Sequence, residues 1–177
     1  MNVETARASV RTWLSTARAN PLFIQGIAAA AAVAILDQGS KFWIVNVVDL
    51  PVRRRIELSA VFDLTYVENR GASFGMLAGG FASRVLLSAI SISIAAVMIV
   101  WLGRLRRRFA AAGAALIIGG AIGNLYDRVS YGYVVDFLDF SGLLFPWVFN
   151  VADAAINVGF ACLIVDALLH KDGKKPQ

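Results

Sequence analysis

Polar side chains gather at one end of the long apolar segments of this sequence, where each could take part in chemistry. Polar groups are costly within a membrane segment, so every one of them is a candidate functional residue. The opposite ends of the same segments carry ordinary basic flanks. The clustered residues are Asp37, Lys41, Asn124, Asp127, Arg128, Asp136, Asp139, Asn150 and Asp153.

The spacing of these residues indicates which of them can meet. Asp37 and Lys41 are four residues apart and share a helix face, so a simple ion pair at the interface would already account for them. Asp127 stands beside a cation and is expected to be a structural ion-pair partner rather than a catalyst. A polar stripe on the fourth segment must face the bundle interior, where it could also serve only to join helices. The stripe consists of Asn150, Asp153 and Asn157.

Two carboxylates that face each other in a cleft open to water would give the chemistry of an aspartic protease. Like charges at close range cannot both ionise, so the pair shares one proton. The ionised partner takes a proton from water, and the protonated partner polarises the scissile carbonyl. This reaction requires neither a metal nor a covalent intermediate, which fits a sequence with one His and one Cys. Spacing alone does not choose Asp136 over Asp127 or Asp139.

The elements that must position these residues are membrane helices. Of the 177 residues, 58% are hydrophobic and only 16% are charged, whereas soluble domains have about 25% charged residues. Apolar runs predict four spans at about 22–46, 85–103, 109–127 and 145–169 within one integral membrane domain, residues 1–177. The extracytoplasmic loop, about 49–83, has short alternating segments near 56–58 and 61–67 that indicate strands. The fold class is therefore an all-α bundle of four transmembrane helices with a small β-rich periplasmic subdomain.

The distribution of basic residues predicts the orientation of the spans. Four spans place both termini on one side, and cytoplasmic loops are richer in Lys and Arg. The side with the termini carries ten such residues: Arg7, Arg11, Arg18, Arg104, Arg106, Arg107, Arg108, Lys171, Lys174 and Lys175. The other side carries seven: Lys41, Arg53, Arg54, Arg55, Arg70, Arg84 and Arg128. We therefore expect cytoplasmic termini and polar residues at the extracytoplasmic end.

Other functions need weighing against a protease. Gly71–Gly75 matches the G-x-S-x-G nucleophile elbow, but His170 is expected near the opposite membrane face. A transporter or proton-conducting protein would also place charges within helices, yet those charges would continue toward the cytoplasmic side, and no internal repeat is visible. A structural membrane subunit would not need polar residues gathered at one end. Gly119 and Gly123 form a motif expected to serve close helix packing.

Five short blocks in this order resemble the lipoprotein signal peptidase family, the signal peptidase II of bacteria. The resemblance covers nearly the whole chain, from about Leu22 to Leu169. Each block is weak alone, and the five together on four spans are highly specific. The blocks are LDQGSK at 36–41, ENRGASFG at 68–75, GNLYDR at 123–128, VVDF at 134–137 and FNVAD at 149–153.

The resemblance implies an intramembrane aspartic endopeptidase that removes the signal peptide from diacylglyceryl-modified prolipoproteins, just before the lipidated cysteine. It assigns the catalytic roles to Asp136 and Asp153. Gly71 joins the support residues because the backbone at 69–75 can approach an extended peptide closely. The substrate-binding or support residues are Asp37, Lys41, Asn69, Gly71, Asn124, Arg128, Asn150 and Ala152.

The resemblance also implies the setting of the enzyme. We expect a bacterial cytoplasmic (inner) membrane protein, without a cofactor or metal, that acts as a monomer. Its expected partners are the diacylglyceryl-prolipoprotein, membrane lipids and globomycin-type inhibitors, and no nucleic acid. The sequence departs little from the family pattern, although the tail before Pro21 is longer than the family requires.

Overall fold

The computed structural model describes residues 3–71 and 80–170, and most of them are helical. Four helices are long and apolar enough to cross a membrane, as predicted. The helices are α1 Val3–Arg18, α2 Pro21–Phe42, α3 Leu50–Arg53, α4 Phe81–Leu102, α5 Arg108–Ser130 and α6 Val151–Leu169. A π-helical turn, Trp43–Val47, prolongs α2, so the first candidate span runs from Pro21 to Val47.

The fourth span begins later than the sequence indicated. It was expected from about residue 145, but α6 begins at Val151. Asn150 is the N-cap, because its side chain accepts a hydrogen bond from the Asp153 backbone N–H and the Asp153 side chain accepts from the Asn150 N–H. This reciprocal capping satisfies two amides at the start of the helix. The apolar residues before Asn150 belong instead to a short strand and the loop that precedes it.

The helix α5 is the centre of the bundle and packs against α2, α4 and α6. It is buried along most of its length, and small residues let its neighbours approach closely. A Cβ atom on Gly119 would lie 2.6 Å from the Ala30 carbonyl oxygen of α2, and one on Gly123 would lie 2.6 Å from Asp37 Oδ2. The predicted role of this glycine pair in close packing is confirmed.

A four-stranded antiparallel sheet caps the end of the bundle where the polar residues lie. Its strands are β1 Arg55–Glu57, β2 Asp63–Asn69, β3 Val134–Asp139 and β4 Val148–Phe149, in that order. The predicted strands near 56–58 and 61–67 are present as β1 and β2, but β3 and β4 were not foreseen. In the register of β2 and β3, Val67 pairs with Asp136 and Asn69 pairs with Val134. The sheet therefore brings Asn69 beside Asp136.

The helix α1 lies against the opposite end of the bundle, where the sequence had indicated only a tail. Trp13 Nε1 donates to the Val100 carbonyl oxygen at 3.1 Å, and its ring meets Phe23 edge to face. Asn20, the N-cap of α2, donates to the Leu105 carbonyl oxygen at 2.9 Å. These contacts tie α1 and the start of α2 to the connection between α4 and α5.

Candidate active site

A buried ion cluster at the C-terminal ends of α2 and α5 lies beside the candidate catalytic residues. Lys41 Nζ lies 2.8 Å from Asp37 Oδ2 and 2.9 Å from Asp127 Oδ2. The ion pair expected from the spacing of Asp37 and Lys41 is thus present. Asp127 is an ion-pair partner, as expected, although its cation is Lys41 of α2 rather than the adjacent Arg128. Gln38 Nε2 also donates to Asp127 Oδ1 at 2.8 Å.

The two carboxylates of this cluster hold the elements that carry the candidate catalytic residues. Asp37 Oδ1 accepts from the backbone N–H of Ala152 at 2.9 Å, which fixes the first turn of α6. Asp127 Oδ2 accepts from the backbone N–H of Val135 at 3.1 Å, which fixes β3. Because Asp136 follows Val135 and Asp153 follows Ala152, the cluster sets the position of both aspartates through the neighbouring amides.

Asp136 lies on β3 and accepts hydrogen bonds at both carboxylate oxygens. Asn150 Nδ2 donates to Oδ1 at 2.6 Å, and Asn69 Nδ2 donates to Oδ2 at 3.0 Å. Only 1% of Asp136 is exposed. Burial, followed by the charge of Asp153, raises the pKa of Asp136 to about 7, although the two amide donors oppose the rise. The carboxyl group is therefore able to hold a proton near neutral pH.

Asp153 lies in the first turn of α6 and also contacts Asn150. Asn124 Nδ2 donates to Asp153 Oδ1 at 2.8 Å, and the backbone N–H of Asn150 approaches Oδ2 at 3.4 Å. Asn150 also donates to Asn124 Oδ1 at 3.1 Å. Asn150 thus contacts both aspartates, and a continuous network joins β3, α5 and α6.

The remaining acidic residue of β3 has a different environment. Asp139 Oδ2 accepts from the Thr65 hydroxyl at 2.7 Å, and Oδ1 accepts from the Ser141 backbone N–H at 2.9 Å. The hydrogen bond from Thr65 is the main cause that holds the pKa of Asp139 below its usual value. Asp139 is therefore an ionised group that joins strands β2 and β3, and it lies outside the network of Asp136 and Asp153.

An apolar groove leads along the bundle to Asp153. This cavity of about 210 Å³ is bounded by α4, α5 and α6. Its polar end is formed by Asn124, Arg128 and Asp153, and Arg128 donates to the Asn124 carbonyl oxygen at 3.4 Å. Of the two candidate catalytic aspartates, only Asp153 lines this groove. Its apolar lining includes Leu87, Ile90, Ile94, Ile117, Ile156 and Phe160.

The structure brings all eight predicted support residues to this end of the bundle or to the strand beside it. Gly71 donates its backbone N–H to Asn69 Oδ1 at 3.2 Å, which orients the amide that contacts Asp136. The rest of the predicted peptide-binding stretch, 72–75, including the serine of the nucleophile-elbow motif, lies outside the described residues. Gln38, which donates to Asp127, is a further residue of the site that was not predicted. Its position next to Asp37 within an apolar segment would have indicated a role in the polar cluster.

Charged residues are not confined to one end of the spans, which corrects the sequence interpretation. Asp166, near the C-terminal end of α6, is buried and lies 2.9 Å from Arg107 Nη2. His170 Nδ1 lies 2.8 Å from the Asp166 carbonyl oxygen. Asp166 was overlooked because it follows a long apolar run. No charged residue stands between Asp153 and Asp166 in α6, so the helix has no chain of charges typical of a conducting path.

The fold resembles solved membrane enzymes of bacteria. One bacterial membrane enzyme structure matches with a TM-score of 0.75 and 27% identity, covering 86% of this chain and 93% of that chain. A second matches with a TM-score of 0.69 and 30% identity, covering 81% and 92%. The architecture is thus that of a bacterial membrane enzyme.

The sequence comparisons identify the family. Residues 29–169 match the family model described as signal peptidase (SPase) II. The lipoprotein signal peptidase of Caulobacter vibrioides is 47% identical over 148 residues, which are 83% of this chain and 88% of the relative. That of Rhizorhabdus wittichii is 46% identical over 154 residues, 85% and 90% of the two chains. The chain belongs to the signal peptidase II family and is a protease of the bacterial inner membrane.

Proposed function

We propose that the chain cuts the signal peptide from diacylglyceryl-modified prolipoproteins, before the lipidated cysteine, with Asp136 and Asp153 as its catalytic residues. Membership of the signal peptidase II family supports the reaction. The observation that carries the assignment of residues is the double contact of Asn150, which donates to Asp136 and caps the helix turn that holds Asp153. One side chain thereby positions both Asp136 and the helix turn that brings Asp153 to the polar end of the apolar groove.

Asp136 holds the shared proton in this proposal, and Asp153 is the ionised partner. The pKa of Asp136 is raised to about 7 by burial. Asp153 occupies the first turn of α6, and Arg128 lies at the same end of the groove. Because the raised pKa places the proton on Asp136, the proposal gives the role of the base to Asp153.

The reaction then follows with all protons accounted for. Asp153 takes a proton from water while the water oxygen attacks the scissile carbonyl carbon, and Asp136 gives its proton to the carbonyl oxygen. When the tetrahedral intermediate collapses, the C–N bond breaks and the leaving amine takes the proton from Asp153. The hydroxyl of the intermediate returns its proton to Asp136. Both aspartates end in their starting states.

The groove and the membrane position the substrate. The apolar lining between α4, α5 and α6 suits the hydrophobic segment of a signal peptide, and the acyl chains of the lipidated cysteine remain in the bilayer. The scissile bond is then held near the aspartates without diffusion out of the membrane, which lowers the entropic cost of reaction. Asn69, at the end of β2, is placed to align an extended peptide beside Asp136. A globomycin-type cyclic peptide would block this same position.

In this proposal both termini are cytoplasmic, the aspartates lie at the extracytoplasmic end of the bundle, and the chain works as a monomer in contact with membrane lipids. The larger number of basic residues on the side of the termini supports this orientation. The network that contains both aspartates is formed within one chain, which supports catalysis by a monomer.

The test is a cleavage assay with purified protein and a prolipoprotein, with and without its diacylglyceryl group. Asp136→Asn and Asp153→Asn should each lower kcat by at least about a thousandfold, because an amide cannot transfer the proton. The matched control is Asp49→Asn, since Asp49 has φ 55° and asparagine tolerates this conformation. Wild-type cleavage by either aspartate variant would remove that residue from the mechanism, and equal cleavage of the unlipidated precursor would contradict the substrate.

A further inference from the structure

A second and larger cavity lies on the other side of the buried ion cluster. Its volume is about 460 Å³, and it is bounded by the outer end of α2, the end of α5 and the sheet. Neither Asp136 nor Asp153 lines it. The proposed reaction therefore leaves this space without a role.

All four tyrosines of the sequence line this cavity. Tyr126 and Tyr131 meet edge to face with ring centroids 6.4 Å apart, and Tyr131 and Tyr133 lie at 6.2 Å with a 36° tilt. The rings thus present differently oriented surfaces around one space. Tyrosine faces attract cations through their quadrupole. Tyr66 completes the set from β2.

The floor of the cavity is formed by the buried ion cluster. Lys41 and Asp127 line it, and Asp37 lies behind them. The cluster thus has two acidic side chains around one ammonium group, while Arg128 lines the separate groove that leads to Asp153. Arg70, which lies over the Tyr133 ring, is paired with Glu68. Arg54, the other cation near Tyr66, is exposed to water and is screened.

Two amide oxygens at the cavity are left as acceptors. Gln38 uses its Nε2 to donate to Asp37, the Gly123 carbonyl and Asp127. Asn46 uses its Nδ2 to donate to the Phe42 carbonyl at 3.0 Å. Within residues 3–71 and 80–170, no donor reaches Gln38 Oε1 or Asn46 Oδ1. A ligand with N–H groups would satisfy both oxygens.

We propose that this cavity binds the ammonium headgroup of an ethanolamine phospholipid. The tyrosine rings and the acidic side chains of the floor favour a cation, and the two carbonyl oxygens, which have no donor among the described residues, favour one that donates hydrogen bonds. The position fits a lipid, because the cavity lies at the end of a membrane span and is flanked by Phe42 and Trp43, which are 64% and 51% exposed. The volume exceeds that of an ammonium group and leaves room for the phosphate.

The experiment is native mass spectrometry of the full chain in mild detergent, titrated with three phospholipids that share the same acyl chains. Phosphatidylethanolamine should bind about tenfold more tightly than phosphatidylglycerol, which is an anion, or phosphatidylcholine, whose quaternary ammonium cannot donate. Equal binding of phosphatidylglycerol would contradict a cation site. Equal binding of phosphatidylcholine would contradict the role of the two carbonyl oxygens.

Variants of Asn46 test whether the lipid binds in this cavity. Asn46→Lys adds a positive charge at the rim of the cavity and should weaken the binding of phosphatidylethanolamine about tenfold. Asn46→Asp should strengthen this binding. Trp101→Leu, at an exposed tryptophan near the opposite end of the bundle, is the matched control and should leave binding unchanged. If Asn46→Lys fails to fold, Tyr131→Leu, at an exposed tyrosine, replaces it and should also weaken binding. Unchanged affinity in the folded variant would overturn the proposal.

Discussion

At the scale of single residues, Asn150 has two separable functions. Its Oδ1 accepts from the Asp153 backbone N–H at 2.9 Å, which caps α6, and its Nδ2 donates to Asp136 Oδ1 at 2.6 Å. The first contact stabilises a helix, and the second orients a candidate catalytic acid. A substitution that preserves one contact and removes the other can measure them separately.

Asn150→Ser is the substitution that separates these functions. Serine is as good an N-cap as asparagine, so the melting temperature should fall less in Asn150→Ser than in Asn150→Ala, although both lose the amide donor to Asn124. Its shorter side chain has no amide to donate to Asp136, so kcat should fall about ten- to a hundredfold. Loss of this donor also removes a cause that lowers the pKa of Asp136, so the alkaline limb of the pH–rate profile should move to higher pH. Asn150→Ala is the comparison, because it should lose both activity and about 1 kcal/mol of stability. An unchanged kcat in Asn150→Ser would contradict the role of the amide.

The raised pKa of Asp136 predicts how stability depends on pH. Its ordinary pKa of 3.8 is raised to about 7 in the folded protein. The folded state therefore binds this proton more tightly than the unfolded state, and the stabilisation is fully present below the unfolded pKa. It is lost as the pH rises through about 7. Melting temperatures from pH 4 to pH 9 should show this loss in the wild type and a smaller one in Asp136→Asn, and identical profiles would contradict the assignment.

At the scale of elements, the sequence predicts helices better than it predicts the site's strands. The spans follow from long uncharged runs, and the pairing of Asp37 with Lys41 follows from helix periodicity. Strand β3 (Val134–Asp139) is buried at almost every position and its sequence does not alternate, and β4 has only two residues. Asp127 pairs with Lys41 of α2 rather than with the adjacent Arg128, because of the way in which α2 and α5 pack. Periodicity within one helix carries no information on that packing.

Packing of α5 against its neighbours can be tested at its glycines. A Cβ atom on Gly119 would lie 2.6 Å from both the Ala30 carbonyl oxygen and Val33 Cβ, so Gly119→Ala should lower stability by about 1–3 kcal/mol. Gly39 in α2 has nothing within 4 Å of such an atom. Gly39→Ala is the matched control and should raise stability by about 0.5–1 kcal/mol, because alanine restricts the unfolded chain more. Thermal unfolding in detergent measures both. A similar loss in the two variants would show that close approach is not the cause.

At the scale of the whole molecule, the polar network divides the protein into two ends with different tasks. One continuous set of hydrogen bonds around Asp136 and Asp153 joins the sheet, the C-terminal ends of α2 and α5 and the start of α6. The opposite end has α1, the connection between α4 and α5, and the pair of Asp166 with Arg107. The uncharged middle of α6 separates them. A protease needs only the first end to reach its substrate, so the orientation of the chain decides on which side of the membrane cleavage occurs.

This orientation is open to a direct labelling experiment, because the chain has a single cysteine, Cys162, that is removed by Cys162→Ser. Val52→Cys would place a thiol in α3 on the side of the sheet, where Val52 is 75% exposed. Arg106→Cys would place one in the exposed connection between α4 and α5. In intact cells, a maleimide that reaches only the extracytoplasmic side should label the thiol at position 52 and not the one at position 106, whereas both should react after the membrane is opened. The reverse pattern would put the aspartates on the cytoplasmic side, where they could not cut a precursor after its export. Labelling of both positions in sealed cells would mean that the chain does not adopt one orientation.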